Sequence, residues 1–227
     1  MSVARRIGGP GGGSDPGPGN GAGRLVAAGA VALALAAGTS GVLGAGGTAT
    51  ETGATADSSL NAKDLGKRTN ESKKSARSGK TDEAFNRMGL RALKKTLKRD
   101  LKCVAASTDQ VRDFFLRTPC KSLDRILLAV GDTAGNSAVI SVAWASFANR
   151  ADADAFERVE AVQGSGDITP LAGALLGLTG IHFTGHHYQS HRDGTKVVIA
   201  ETETVGGHVD DGVLDALAEV AVWLPKP

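Results

Sequence analysis

The chain has 227 residues, 31 of them glycine, with 4% aromatic residues and a formal net charge of +2. Near-balance of charge excludes a uniformly basic nucleic-acid binder, yet it hides an asymmetry. Fourteen Lys/Arg stand against five Asp/Glu over residues 61–102, and nine against sixteen from residue 103 to the end. A basic stem therefore precedes an acidic head, and contact with an anionic surface would belong to the stem.

Residues 1–24 include "GGPGGGSDPGPGNGAG". So few apolar side chains cannot offset the entropy of ordering, so this reads as a disordered cytoplasmic tail. The uncharged run over residues 25–46 is long enough for a bilayer core, which needs roughly 20 residues. It reads as a single-pass signal anchor, or as the apolar region of a cleaved signal peptide. A low-complexity Ala/Gly linker is the plainer alternative.

Arg5, Arg6 and Arg24 precede the run, and no Lys or Arg follows it until Lys63. This places the N-terminus in the cytoplasm and the C-terminal domain outside the membrane. The basic stem argues the other way if it lies near enough to count. Residues 47–80 read as a flexible basic stalk, leaving 81–227 as the folded domain.

Helical spacing of Phe85, Met88, Ala92, Leu93, Leu97 and Leu101 predicts one helix over 81–102, with Thr81 as its cap. The stripe would pack on the head or lie on a membrane surface. Cys103 and Cys120 are the only cysteines. An even count outside the membrane suggests a disulfide between them, two buried thiols being the alternative. Between them, "STDQVRDFFLRTP" reads as a second helix, with Ser107 and Gln110 as a capping box and Pro119 as the stop.

"LDRILLAVGDTAGNSAVISVAWASF" reads as a hairpin about Gly135-Asn136. Ile126, Leu128, Val130, Ile140, Val142 and Trp144 form its apolar face, opposite Arg125, Ser141 and small alanines. A helix capped by Asn149 would bury Phe156, Val159 and Val162. A short helix is expected over 171–178, then a second hairpin, then a closing helix with Val213, Leu217, Val220, Ala221 and Leu224 buried. The order ββαββα implies an α+β fold, a four-stranded antiparallel sheet with helices on one face.

The second hairpin carries the candidate chemistry. Closing it on Asp193-Gly194 sets Tyr188 opposite Ile199, His186 opposite Glu201, Thr184 opposite Glu203 and His182 opposite Val205. Alternation then puts His182, His186, Glu201 and Glu203 on one side, a donor set that suits zinc. The plainer reading is a polar sheet face, and a pH-sensing His186–Glu201 pair is a third. HExxH, CxxC, GxSxG and phosphate-loop patterns are missing from the sequence, so no catalytic residue is assigned.

The segments "FFLRTPCKSLDR", "VISVAWASF", "GSGDITPL" and "FTGHHY" give residues 85–227 a resemblance to uncharacterised membrane-anchored or secreted actinobacterial proteins. That resemblance implies no activity and no catalytic residues. The expectation is a non-catalytic extracytoplasmic binding or interaction module, with an unknown protein or small molecule as partner and nucleic acid not expected. The alternative is a metal-binding or metal-dependent hydrolytic protein built on the histidine hairpin.

Overall fold

The computed structural model describes residues 62–100, 102–172, 176–178 and 180–227. The tail, the anchor segment 25–46 and the first part of the stalk lie outside them. No helix among the described residues is long and apolar enough to cross a membrane.

Five strands, β1 (Arg91–Asp100), β2 (Ser122–Gly131), β3 (Ser137–Ser146), β4 (Tyr188–Asp193) and β5 (Lys196–Gly206), form one antiparallel sheet in the order β1-β2-β3-β5-β4. Five helices accompany it: α1 (Ala62–Arg77), α2 (Thr81–Arg87), α3 (Asp109–Arg117), α4 (Arg150–Glu160) and α5 (Asp211–Ala221). From β2 onward the order is ββαββα, as the sequence predicts. The expected four strands become five because the second half of the expected 81–102 helix is a strand.

That change of conformation has a local cause. Helix α2 buries Ala84 and Phe85, then its last amides bond back within Phe85–Asn86 as Gly89 takes φ +79. Positive φ suits glycine and ends the helix. Met88 and Leu90 still reach the core, but beyond them Leu93 and Leu97 are 46% and 44% exposed. Cap and stripe both differ from expectation: Lys80 is the N-cap, and no side chain caps α2.

Part of the expected flexible stalk, residues 62–77, is helix α1. Thr69, Ser72 and Ala76 are buried along one side of it, with Leu65 packed on the same core. Thr69 Oγ1 donates back to Leu65 O, and Lys73 pairs with Glu219 of α5. A stripe of Thr, Ser and Ala fits closely against the small side chains of α5, and for the same reason it gives no hydrophobic signal in the sequence.

Helices cover both faces of the sheet, not one. Residues 126, 128, 130, 140, 142 and 144 form a core with α1, α2, α5, Val198 and Ala200. The opposite face packs Leu123, Ala143, Ala145, Val197 and Ile199 against α3 and α4. Leu127, Ala129 and Val139 pack there too, on Leu171 and Leu176. The reason is in the strands: between Leu123 and Ala129 and between Val139 and Ala145, all but Arg125 and Ser141 on that second side are Leu, Val or Ala, apolar area whose burial is favourable. Phe114, Phe115, Phe147 and Phe156 fill the centre of this second core, with centroids 5.0–6.1 Å apart.

Asn149 caps α4 as expected, accepting from Asp152 N at 2.9 Å. Val162 differs; it lies past the end of α4 and is 56% exposed, while Ala153, Phe156 and Glu160 turn inward. The capping box at Ser107 and Gln110 does not form. Thr108 is the N-cap of α3, Ser107 Oγ donates to Cys103 O, and Gln110 N donates to Ser165 O. The short helix expected over 171–178 is not among the described elements, and residues 173–175 lie outside them.

A buried carboxyl cluster and a cleft at the disulfide

Three segments meet behind the second face of the sheet: a polar set on β3 and β5, the loop after α4, and the end of α4 itself. Ser141 and Glu201 are direct partners in the β3–β5 ladder, so both project to that side. Loop 163–169 lies across them. Thr108 N donates to Asp167 O, Asp167 N to Thr108 Oγ1, Thr169 N to Ala106 O, and Ser107 bridges Ile168. Arg125 Nη1 donates to Thr169 O. Gly166 makes this approach feasible, since a Cβ there would stand 2.4 Å from Thr108 O at φ +99.

The result is a small space of about 10 Å³ lined by Ser141, Ala143, Asp167, Ile168, Ile199 and Glu201. That is room for about one water molecule. Asp167 and Glu201 hydrogen-bond to each other. Two carboxyls can share a hydrogen bond only if one keeps its proton, and burial disfavours both charges. Burial first, then the charges of Asp167 and Glu203, pushes the Glu201 carboxyl up to about 8; burial also raises Asp167, to about 6.

Glu160 extends the cluster from the last turn of α4. It is 7% exposed, its Oε1 has no hydrogen-bond partner, and burial followed by Asp167 and Glu201 raises it well above the ordinary carboxylate range. Tyr188, the first residue of β4, has an unpartnered buried hydroxyl, and burial together with the Glu160 charge raises its pKa. The cluster is thus a set of acids whose protonated forms burial favours, beside a space that holds about one water molecule.

The histidine hairpin does not assemble as expected. Its two-residue turn is Gly194-Thr195, so Asp193 pairs with Lys196 and Tyr188 with Glu201. Relative to the expected register, each partner moves by two positions. Faces survive a shift of two, but neighbours do not. β4 begins only at Tyr188, leaving His182 and His186 exposed in the segment before it. Gly185, at φ +72, breaks the strand there.

Glu203 instead accepts from Thr184 N and Oγ1, at 2.9 and 2.5 Å, while Glu201 turns to Asp167. Among the described residues no three His, Cys, Asp or Glu side chains are grouped as a metal site. His182, His186, Glu201 and Glu203 therefore are not brought together as zinc ligands. His187, the residue after His186, is half-buried and has a definite partner: its Nδ1 lies 2.8 Å from Asp215 Oδ1.

Cys103 and Cys120 are joined in a disulfide, with their Cα atoms 6.3 Å apart. It ties the 3₁₀ turn Cys103–Ala106 to the chain after α3. Beside it opens a cleft of about 390 Å³. Its walls are Cys103, Val104, Ala105, Phe115, Pro119 and Cys120, and the exposed cations Lys102 and Arg112 stand at its edge. Apolar walls with a few charged groups are the usual make-up of a small-ligand site. Nothing in the hydrophobic pattern signals this cleft; the cysteine pair and Pro119 are its only traces in the sequence.

No family model matches the chain, and neither any curated protein nor any solved structure matches it.

Proposed function

We propose that the domain is a non-catalytic extracytoplasmic binding module, held at the membrane through residues 25–46, with the cleft beside the disulfide as its ligand site. The observation that carries this reading is the separation of access from reactivity. Asp167 and Glu201, the paired carboxyls of raised pKa, line a space of only about 10 Å³, whereas the cleft of about 390 Å³ offers apolar surface and two cations. That equipment suits holding an organic anion with an apolar body. The disulfide supports the extracytoplasmic side, since such bonds persist in oxidising compartments.

A topology reporter fused after Pro227, with thiol labelling of Cys103 and Cys120 before and after reduction, tests the placement. An active external reporter and labelling only after reduction are expected; a cytoplasmic signal would sink it. Titration of the full chain with octanoate tests the cleft. Chemical-shift changes should concentrate at residues 102–120 and weaken in Arg112→Glu. Changes scattered over the domain, or untouched by that substitution, would remove the cleft as the site.

A further inference from the structure

β1 is the first strand of the sheet order, and its outer edge has no partner strand among the described residues. Apart from half-buried Thr96, its described side chains from Arg91 to Arg99 are exposed. Five of its ten residues are cationic: Arg91, Lys94, Lys95, Lys98 and Arg99. The only large apolar side chains exposed among the described residues are Leu93, Leu97, Leu116 and Val162, so half of them lie on this one strand.

The register divides the strand into two charged sides. Lys95, Leu97 and Arg99 pair with Leu128, Ile126 and Asp124, while Lys94, Thr96 and Lys98 pair with Ala129, Leu127 and Arg125. Leu97 is thus flanked by cations on its own side, and further cations line the other. Lysines on an edge strand commonly block unwanted strand pairing. That role explains the cations but not the exposed leucines, which a protective edge would leave out. Pairing with β1 of a second copy is disfavoured, because it would set two rows of like charge against each other.

We propose that β1 is a lipid-facing edge that lies on an anionic membrane surface, with Arg91 and Lys95 among the phosphates and Leu93 and Leu97 at the headgroup boundary. Cations interleaved with exposed apolar side chains are the make-up of segments that sit at such an interface. Its nearness to the bilayer rests on the anchor reading above. Fifteen residues separate Gly46 from Ala62, a tether of at most about 50 Å when fully extended. Residues 103–227, with nine Lys/Arg against sixteen Asp/Glu, would be repelled by the same surface, which disfavours approach by that part of the domain.

The test uses the full chain reconstituted into phosphatidylcholine vesicles, with and without phosphatidylglycerol. Cys103 and Cys120 are bonded to each other and no cysteine is free, so Ala92→Cys or Gln189→Cys introduces a single labelling site. A fluorophore on Ala92→Cys should be quenched by lipid-borne quenchers only in the anionic vesicles, and the one on Gln189→Cys, at the far edge of the sheet, in neither. Reversing Arg91 and Lys95 to Glu should weaken the quenching about tenfold or more, and added salt should weaken it likewise. Equal quenching in the two lipids, or none in the anionic vesicles, overturns the proposal. So does a response of the Ala92 label to soluble polyglutamate alone, which would assign the edge to an acidic peptide. Failure of the anchor reading shows separately, as a chain that does not float with neutral vesicles.

Discussion

Tyr188 stands opposite Glu201 across the β4–β5 ladder, on the side of the sheet where Glu160 and Asp167 also gather. This pairing places a phenol, rather than His186, beside the buried acid. It makes the hairpin part of a cluster of buried acids.

The cluster sets the pH dependence of stability. Glu201 and Asp167 have folded-state pKa values raised to about 8 and about 6, and Glu160 is raised as well. A raised pKa means the folded state holds protons that the unfolded chain has released. These groups therefore stabilise the fold fully below pH ~4, and that stabilisation is lost as pH rises through 6 and 8. His191 opposes the trend, because burial lowers its pKa and acidification must charge it in place. The comparison with Glu201→Gln isolates the cluster. Urea unfolding should show wild-type stability falling by on the order of a few kcal/mol between pH 5 and pH 8, and the fall should be smaller in Glu201→Gln. An identical slope in the two proteins would refute the assignment.

Gly166 closes the cluster. Loop 163–169 can lie against residues 106–110 only because no Cβ intervenes, and φ +99 is a conformation that L side chains avoid. Gly166→Ala should cost roughly 2 kcal/mol or more, through both strain and the displaced Thr108–Asp167 bonds. Hydrogen exchange at the Thr108 and Asp167 amides should accelerate with it. Gly164 also has positive φ, but a Cβ there would meet nothing within 4 Å. Gly164→Ala should therefore cost less, and equal costs would show that backbone conformation alone accounts for the loss.

Much of this fold was legible in the sequence because β2, β3, α4, α5 and the disulfide carry strong local signals. Ile126, Leu128 and Val130 alternate, Asn149 caps, and two cysteines have only each other. What was not legible depended on contacts between distant segments. Leu93 and Leu97 have helical spacing but lie on a strand, since Gly89 stops α2 and the edge of β2 is available for pairing. The buried side of α1 is Thr, Ser and Ala, which only the close approach of α5 explains. In the candidate site, Glu201 was singled out for the wrong neighbours. Asp167 and Glu160 carry no signal of their own, because nothing local shows that a loop will fold over them.

The disulfide should contribute through the unfolded chain. Cys103 and Cys120 are 17 residues apart, and closing a loop of that length stabilises by roughly 3 kcal/mol on the chain-entropy model. The Cys103→Ser/Cys120→Ser double variant should melt about 6–12 °C lower than the wild type. The cleft should suffer too, since the bond forms part of its wall. Weaker octanoate binding at a temperature where the variant remains folded would show this directly. A variant with unchanged melting would mean that the helix α3 contacts alone hold the turn.

The hairpin histidines should rank by their partners. His187 lies 2.8 Å from Asp215 through Nδ1 and within 3.6 Å of Asp211 through Nε2, and its side chain is 14% exposed. Its partners are 59% and 90% exposed, so solvent screens the pairing. His187→Ala should therefore cost no more than about 1 kcal/mol. His182→Ala and His186→Ala remove exposed side chains from a segment outside the ladder, and each should fall within about 0.5 kcal/mol of wild type. Zinc would reverse this order if it bound at the expected set, because a metal that binds only the folded state stabilises it by mass action. Melting with added zinc, with a chelator and with neither should give one temperature. A rise with zinc that disappears in His186→Ala would restore the metal site.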